Sequence, residues 1–257
     1  MNVFKSIYEY RELLKTNVKK EIRGKYKQSF LGILWSFLNP LLQIAVYAII
    51  FPIILKNTQK DYVIFLCVAL IPWTYFTTAI VQSMSSIISN SNIIKKVYFP
   101  RVIVPLSVVT SGCVNFFIST IIILIFLFVS GMGITQYIIF YPLIALVQFL
   151  LLLAISFIVS SVTVYLRDLE HLIGVALQLL FYATPIVYAK ETIPENMQNI
   201  INLNPMAHII TAYRDIFYYQ TAPDVVGLLI LLGITIIMCI VGYLLFNVLQ
   251  KGFAEEL

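Results

Sequence analysis

Lys15–Leu55 reads KTNVKKEIRGKYKQSFLGILWSFLNPLLQIAVYAIIFPIIL, and its two halves differ in kind. The first carries Lys15, Lys19, Lys20, Arg23, Lys25 and Lys27 against one acid, Glu21. The second, Phe30–Leu55, holds no charged side chain. About 20 consecutive apolar residues cross the hydrocarbon core of a bilayer as a helix, which satisfies its own backbone there. Basic residues flanking such a run stay in the cytoplasm. The stretch therefore predicts where the chain enters the bilayer and which way it faces.

The rest of the composition agrees. Of 257 residues, 60% are hydrophobic and 11% charged, where a soluble domain carries roughly 25% charged. Mean hydropathy is +0.93. The net charge of +5 does not call for a nucleic acid, because 8 of the 17 basic residues precede the first span and serve as orientation charge. Cys67, Cys113 and Cys239 each fall in an apolar run and read as buried thiols, not as disulfides or metal ligands. The N-terminus lacks the short apolar core and small-residue cleavage site of a signal peptide.

Before the first span, Val3, Phe4, Ile7, Tyr8, Leu14, Val18 and Ile22 mark one face of a helix. It is too polar to span; it lies either in the cytoplasmic interface against anionic lipid or on the rest of the protein. Span 1 is placed at Phe30–Leu55 and span 2 from Tyr62. From Gln82 the sequence turns polar and emerges at Lys95, Lys96 and Arg101. Val102–Leu166 has no charge and is long enough for two spans, 103–129 and 137–165, separated by Ser130-Gly131-Met132-Gly133. Span 5 follows at Leu172–Ala189 and span 6 at Val225–Leu249. The outer segment 190–223 holds a half-apolar stretch, Met206–Tyr219, read either as re-entrant helices or as a folded surface loop.

The expected fold is thus an all-α integral membrane protein with six spans in one transmembrane domain. Residues 1–28 form the interface helix and basic flank, 30–250 the bundle and 251–257 a cytoplasmic tail. With both termini inside, 13 basic residues are cytoplasmic and 4 outside: Lys56, Lys60, Lys190 and Arg214. That asymmetry supports the orientation.

Absences narrow the function. No charged residue lies inside a span, which removes the usual groups for proton or sodium coupling. There is no phosphate loop of the G-x-x-x-x-G-K-[ST] type and no H-E-x-x-H, and neither His171 nor His208 is mid-span. No catalytic residues or metal site are assigned. What is present is aromatic: 16 Tyr, 18 Phe and 2 Trp. Many serve as interfacial anchors, but Trp35, Trp73, Tyr75, Phe76, Phe181, Tyr182 and Tyr188 sit near uncharged polar residues and prolines. Sugar rings pack their C–H faces on such planes while hydroxyls find polar partners. Two short charged connections, 86–101 and 166–171, read either as orientation charge or as elements that dock on a soluble partner.

The run Lys25-Tyr26-Lys27-Gln28-Ser29-Phe30-Leu31-Gly32-Ile33-Leu34-Trp35-Ser36-Phe37-Leu38-Asn39-Pro40 resembles permeases of type-2 ABC exporters for polysaccharides, of the Wzm and TagG kind. So do Ile71-Pro72-Trp73-Thr74-Tyr75-Phe76, Tyr165-Leu166-Arg167-Asp168-Leu169, Tyr182-Ala183-Thr184-Pro185-Ile186-Val187-Tyr188 and Asn202-Leu203-Asn204-Pro205-Met206, in the same order along the chain.

That resemblance implies a homodimer in the cytoplasmic (inner) membrane, paired with two copies of a separate ATPase that binds ATP and Mg. The substrate would be a glycan such as O-antigen or teichoic acid on an undecaprenyl diphosphate carrier. ATPase coupling falls to Ser89, Asn92, Lys95, Lys96 and Tyr98 and to Arg167, Asp168 and Glu170. The glycan path falls to the seven aromatic residues named above, with re-entrant helices closing the outer gate. Arg23, Lys25 and Lys27 would attract the lipid diphosphate, a role that competes with plain anchoring for each. A type-2 permease for a drug or small lipid, or a scaffold that conducts nothing, are the rival readings.

Overall fold

The computed structural model describes residues 8–26, 32–55, 60–194, 198 and 201–257. Every regular element among them is helical. The helices are α1 (Arg11–Tyr26), α2 (Trp35–Leu55), α3 (Tyr62–Ser89), α4 (Ser91–Ile94), α5 (Ile103–Val129), α6 (Tyr141–Val162), α7 (Leu169–Tyr182), α8 (Pro205–Arg214), α9 (Val225–Leu249) and α10 (Phe253–Glu256). Tight 3-10 turns at Gln136–Phe140 and Gln250–Gly252 extend α6 and α9, and a π turn at Asp215–Tyr219 extends α8.

Among the described residues, four helical stretches are long and apolar enough to cross a bilayer: Tyr62–Ser89, Ile103–Val129, Gln136–Val162 and Val225–Glu256. Phe37–Ile53 and Leu169–Tyr182 are shorter apolar helices. Side-chain hydrogen bonds fix how these helices run. Lys20 donates to Asn90 (2.9 Å), Arg101 to the Gln250 carbonyl and the Tyr165 hydroxyl to the Leu249 carbonyl (2.7 Å). Those bonds gather α1, the 90–101 connection, the α6–α7 turn and the C-terminal residues at one, charged end. At the opposite end the Tyr218 hydroxyl donates to the Lys60 carbonyl (2.5 Å) and the Gln220 amide to that of Met132 (2.9 Å). The helices α2, α3, α5, α6, α7 and α9 alternate in direction between these ends.

α3 is the central helix, with Phe65, Leu66, Cys67, Val68 and Ala69 fully buried. It continues unbroken through the polar stretch from Gln82 to Ser89. Ser83 is enclosed and donates to Ser156 of α6 (2.9 Å), so part of that polarity is buried between helices. α9 lies on α6 through Gly242, where an added Cβ would sit 2.7 Å from the Ala154 carbonyl oxygen. Close backbone approach at small residues is how helices associate in lipid, where apolar surface alone gives no drive. The opposite side of α9 exposes Ile230, Ile237 and Leu244.

Span 5 is shorter than expected. Leu172–Ala189 reads as one helix in sequence, but α7 ends at Tyr182 and residues 183–189 are irregular. Pro185 has no N–H to continue the ladder, and the carbonyls after it are taken by side chains from elsewhere. Arg214 donates to those of Pro185 (2.5 Å) and Ile186 (2.6 Å), and Tyr62 to that of Val187 (2.7 Å). Arg214, read in sequence as an outer orientation charge, is instead 3% exposed.

Candidate transport and coupling sites

A cavity of about 360 Å3 lies between the first turns of α2 and the middles of α3 and α5. Three one-turn ladders supply its polar lining: Thr74, Thr78 and Gln82 on α3, Asn115 and Ser119 on α5, and Trp35 with Asn39 on α2. Residues four apart share a helix face, and at 1.5 Å per residue the α3 ladder is about 12 Å long. Among the described residues, no charged side chain lines the cavity. The amide nitrogen and oxygen of Asn115 are both buried and have no hydrogen-bond partner among the described residues.

The aromatic wall of this cavity depends on a glycine. The Tyr75 ring stacks on Phe116 (centroids 5.3 Å, planes at 18°) and its hydroxyl donates to the Val109 carbonyl (3.1 Å). A Cβ at position 112 would lie 2.8 Å from Tyr75 Cε2, so Gly112 makes room for the ring on α5. Beyond it, Phe116 and Tyr213 lie 5.9 Å apart. The Tyr213 hydroxyl donates to Gln148 Oε1 (3.0 Å), whose Nε2 donates to the Pro72 carbonyl (2.8 Å). This buried chain ties α8, α6 and α3 together at mid-height and holds α8 between them.

The seven aromatic residues singled out in sequence fall in three places. Trp35 and Tyr75 line the cavity. Trp73, Phe76 and Phe181 pack on one another at 5.3 Å and 5.8 Å, outside its lining. Tyr182 is exposed, and its carbonyl accepts from the Tyr188 hydroxyl (2.7 Å). Aromatic content drew attention to these positions but not to Asn39, Thr74, Thr78, Gln82, Asn115 or Ser119. Their signal was present: uncharged polar residues repeating every four positions inside apolar helices.

At the charged end, Ser89 closes α3 and its hydroxyl donates to the Ser85 carbonyl (2.7 Å). The next turn is anchored by buried Ile94 and Phe99, leaving Asn92, Lys95, Lys96 and Tyr98 outward, with Tyr98 89% exposed. Arg167, Asp168 and Glu170 are exposed on the second connection. Both connections meet at the end of α9, where side chains reach its last backbone carbonyls. Arg101 and Tyr165 cap the Gln250 and Leu249 carbonyls, and fully buried Phe253 sits against both, 5.8 Å from the guanidinium and 6.2 Å from the tyrosine ring. Arg23 is exposed on α1; the Lys25 side chain and Lys27 lie outside the described residues, as does Lys56. Also on α1, the Lys15 ammonium donates to Glu12 (2.8 Å) and holds that carboxyl below its ordinary pKa. Among the described residues no group of three or more His, Cys, Asp or Glu side chains could hold a metal ion.

An all-helical bundle with four stretches long and apolar enough to cross a bilayer, among the described residues, is that of a multi-pass membrane protein. The sequence model of the ABC-2 type transporter family matches residues 12–218, and the chain belongs to that family. It is 38% identical over 248 residues to an O-antigen export system permease protein RfbA of Klebsiella pneumoniae, covering 96% of this chain and 95% of that one. It is 32% identical to the Myxococcus xanthus protein of the same name over 259 residues, the full length of both. At 22% identity it is also similar to the polysialic acid transport protein KpsM of Escherichia coli, over 91% of this chain and 92% of that one.

Proposed function

We propose that this chain is the permease subunit of an ATP-driven exporter that carries a lipid-linked polysaccharide, such as O-antigen or teichoic acid, across the cytoplasmic membrane. The observation that carries this is the end-to-end similarity, at 32% and 38% identity, to proteins named as O-antigen export permeases. In this reading α2, α3, α5, α6 and α9 span the bilayer, α7 with the irregular segment after it makes the remaining crossing, both termini are cytoplasmic, and α8 with its π turn is a re-entrant element of the outer leaflet. Two copies of the chain pair with two copies of an ABC ATPase, which binds ATP and Mg.

The geometry suits that division of labour. Tyr98, Lys95 and Lys96, with Ser89 and Asn92 beside them, offer the ATPase an exposed aromatic and basic surface on a turn that Ile94 and Phe99 hold rigid. Arg167, Asp168 and Glu170 supply a second contact. Because Arg101 and Tyr165 both hold the end of α9, a push on either connection is passed to α9 and, through Gly242, to α6. Arg23, Lys25 and Lys27 draw the lipid diphosphate to the cytoplasmic face by charge. The glycan then passes along uncharged polar and aromatic surfaces, Trp35 and Tyr75 among them, which hold sugars weakly enough to let them move. Trp73, Phe76, Phe181, Tyr182 and Tyr188 support that path from α3, α7 and the irregular segment after α7.

The test is genetic and biochemical. Deleting the gene should abolish surface polysaccharide and leave lipid-linked glycan inside the cell, and the tagged chain should bring down an ABC ATPase. Unchanged surface polysaccharide in the deletion strain would count decisively against the exporter reading.

A further inference from the structure

We infer that the cavity between α2, α3 and α5 is a binding subsite for a neutral sugar ring, built within one protomer and read by the amide of Asn115. The inference rests on the exporter reading and adds the site, its chemistry and the residue that recognises the ligand.

Asn115 carries the argument. A buried polar group without a partner costs about 1–3 kcal/mol, and native proteins keep few of them. Both ends of this amide are buried and have no hydrogen-bond partner among the described residues, and the residue lines the cavity. An amide offers two donors and an acceptor with two lone pairs, which matches the mixed donor and acceptor character of a sugar hydroxyl. An acyl chain in the cavity would leave those groups unpaired. Among the described residues, the lining offers no cation to a phosphate or carboxylate.

The surroundings extend the match. Thr78 and Gln82 of α3 line the same cavity as Asn115, and Trp35 of α2 is the partly exposed aromatic residue in that lining. Polar groups together with an aromatic ring are what a pyranose matches. At about 360 Å3 the cavity lies near the lower limit of ligand pockets, which run from about 300 to 1,000 Å3. That suits a short piece of a chain, held and released as the polymer advances.

The chain's two tryptophans give the readout, since Trp73→Phe leaves Trp35 at the cavity as the sole one. The W73F chain, purified in detergent without the ATPase so that Trp35 is the one tryptophan in the sample, is titrated with neutral methyl hexosides and, in parallel, with the methyl glycoside of a uronic acid. A saturable change in Trp35 emission is expected with at least one neutral glycoside and not with the charged one. Asn115→Leu should weaken it about tenfold, the equivalent of one hydrogen bond. Without ligand, N115L should unfold no earlier than its parent, because it removes an unpaired buried amide. Thr78→Val provides a second variant with the same expected loss, should N115L fail to assemble. No saturable response, an equal response in the variants, or a lower melting temperature for N115L without ligand overturns the subsite. The exporter reading fails separately, if deleting the whole chain leaves surface polysaccharide intact.

Discussion

The guanidinium carbon of Arg214 lies 3.5 Å from the centroid of the Phe65 ring, and the same group donates to the carbonyls of Pro185 and Ile186. A cation is thus buried in an apolar bundle, held by a π face and by peptide oxygens that a broken helix left open. It pins α8 to the irregular segment after α7.

Replacing Arg214 with Met should destabilise the protein by about 3 kcal/mol or more, since several buried acceptors lose their donor at once. Arg214→Lys should fall between, keeping the charge but losing the planar fork that reaches two carbonyls. Thermal unfolding in detergent or nanodiscs measures both. Equal stability of R214M and the parent would mean that the staple is dispensable.

Gly112→Ala places a methyl group 2.8 Å from Tyr75 Cε2. The expected cost is about 1–3 kcal/mol of overpacking, with the Tyr75 ring pushed off α5. Tyr75→Leu removes the opposing ring atoms, so adding it to G112A should cost less than the two single changes summed. Strict additivity in that cycle would show that the residues do not press on each other.

Tyr98 projects outward, and Tyr98→Ala should change stability by no more than about 0.5 kcal/mol. Under the proposed function it should nevertheless weaken ATPase binding, measured as the yield of ATPase in a pull-down of the tagged permease. Lys95→Ala with Lys96→Ala should make that binding less dependent on salt, because surface charge is screened over about 10 Å at 0.1 M. Full ATPase recovery with Y98A would remove this turn from the interface.

Phe253 joins the two connections to the end of α9. Phe253→Ala should cost about 3–5 kcal/mol, the range for a buried phenylalanine, and Tyr165→Phe about 1 kcal/mol for a single hydrogen bond. Y165F tests the mechanical role because it leaves packing intact. Its expected result is ATP hydrolysis that continues while polysaccharide export slows. Export and hydrolysis falling together would place the tyrosine in assembly rather than in transmission.

Much of the architecture was legible from charge and length alone. The charge-free runs mark α3, α5, α6 and α9 to within a few residues, because a span must be uncharged and about 20 residues long whatever it packs against. α7 and the segment after it were misjudged for the complementary reason: Pro185 marks a break, but only a distant Arg214 and Tyr62 make the break tolerable inside the bundle. The aromatic cavity wall was half legible. Trp35 and Tyr75 stand out by type, but Trp73 and Phe76, two and one residues from Tyr75, point to a different neighbour.

Sequence by itself determined that this is a multi-pass helical membrane protein, which of its stretches are free of charge, and that it has no nucleotide-binding loop of the G-x-x-x-x-G-K-[ST] type. Hydropathy reports the transfer of each residue out of water, and that is a property of the local chain. Tertiary structure alone decided which apolar faces meet protein and which stay exposed, since lipid and protein interior are equally apolar and the pattern does not distinguish them. It alone showed Arg214 to be buried, Asn115 to be unpaired among the described residues and Phe253 to join two connections. Each of those follows from contacts between residues far apart in the chain, where the energetics depend on which polar group finds a partner.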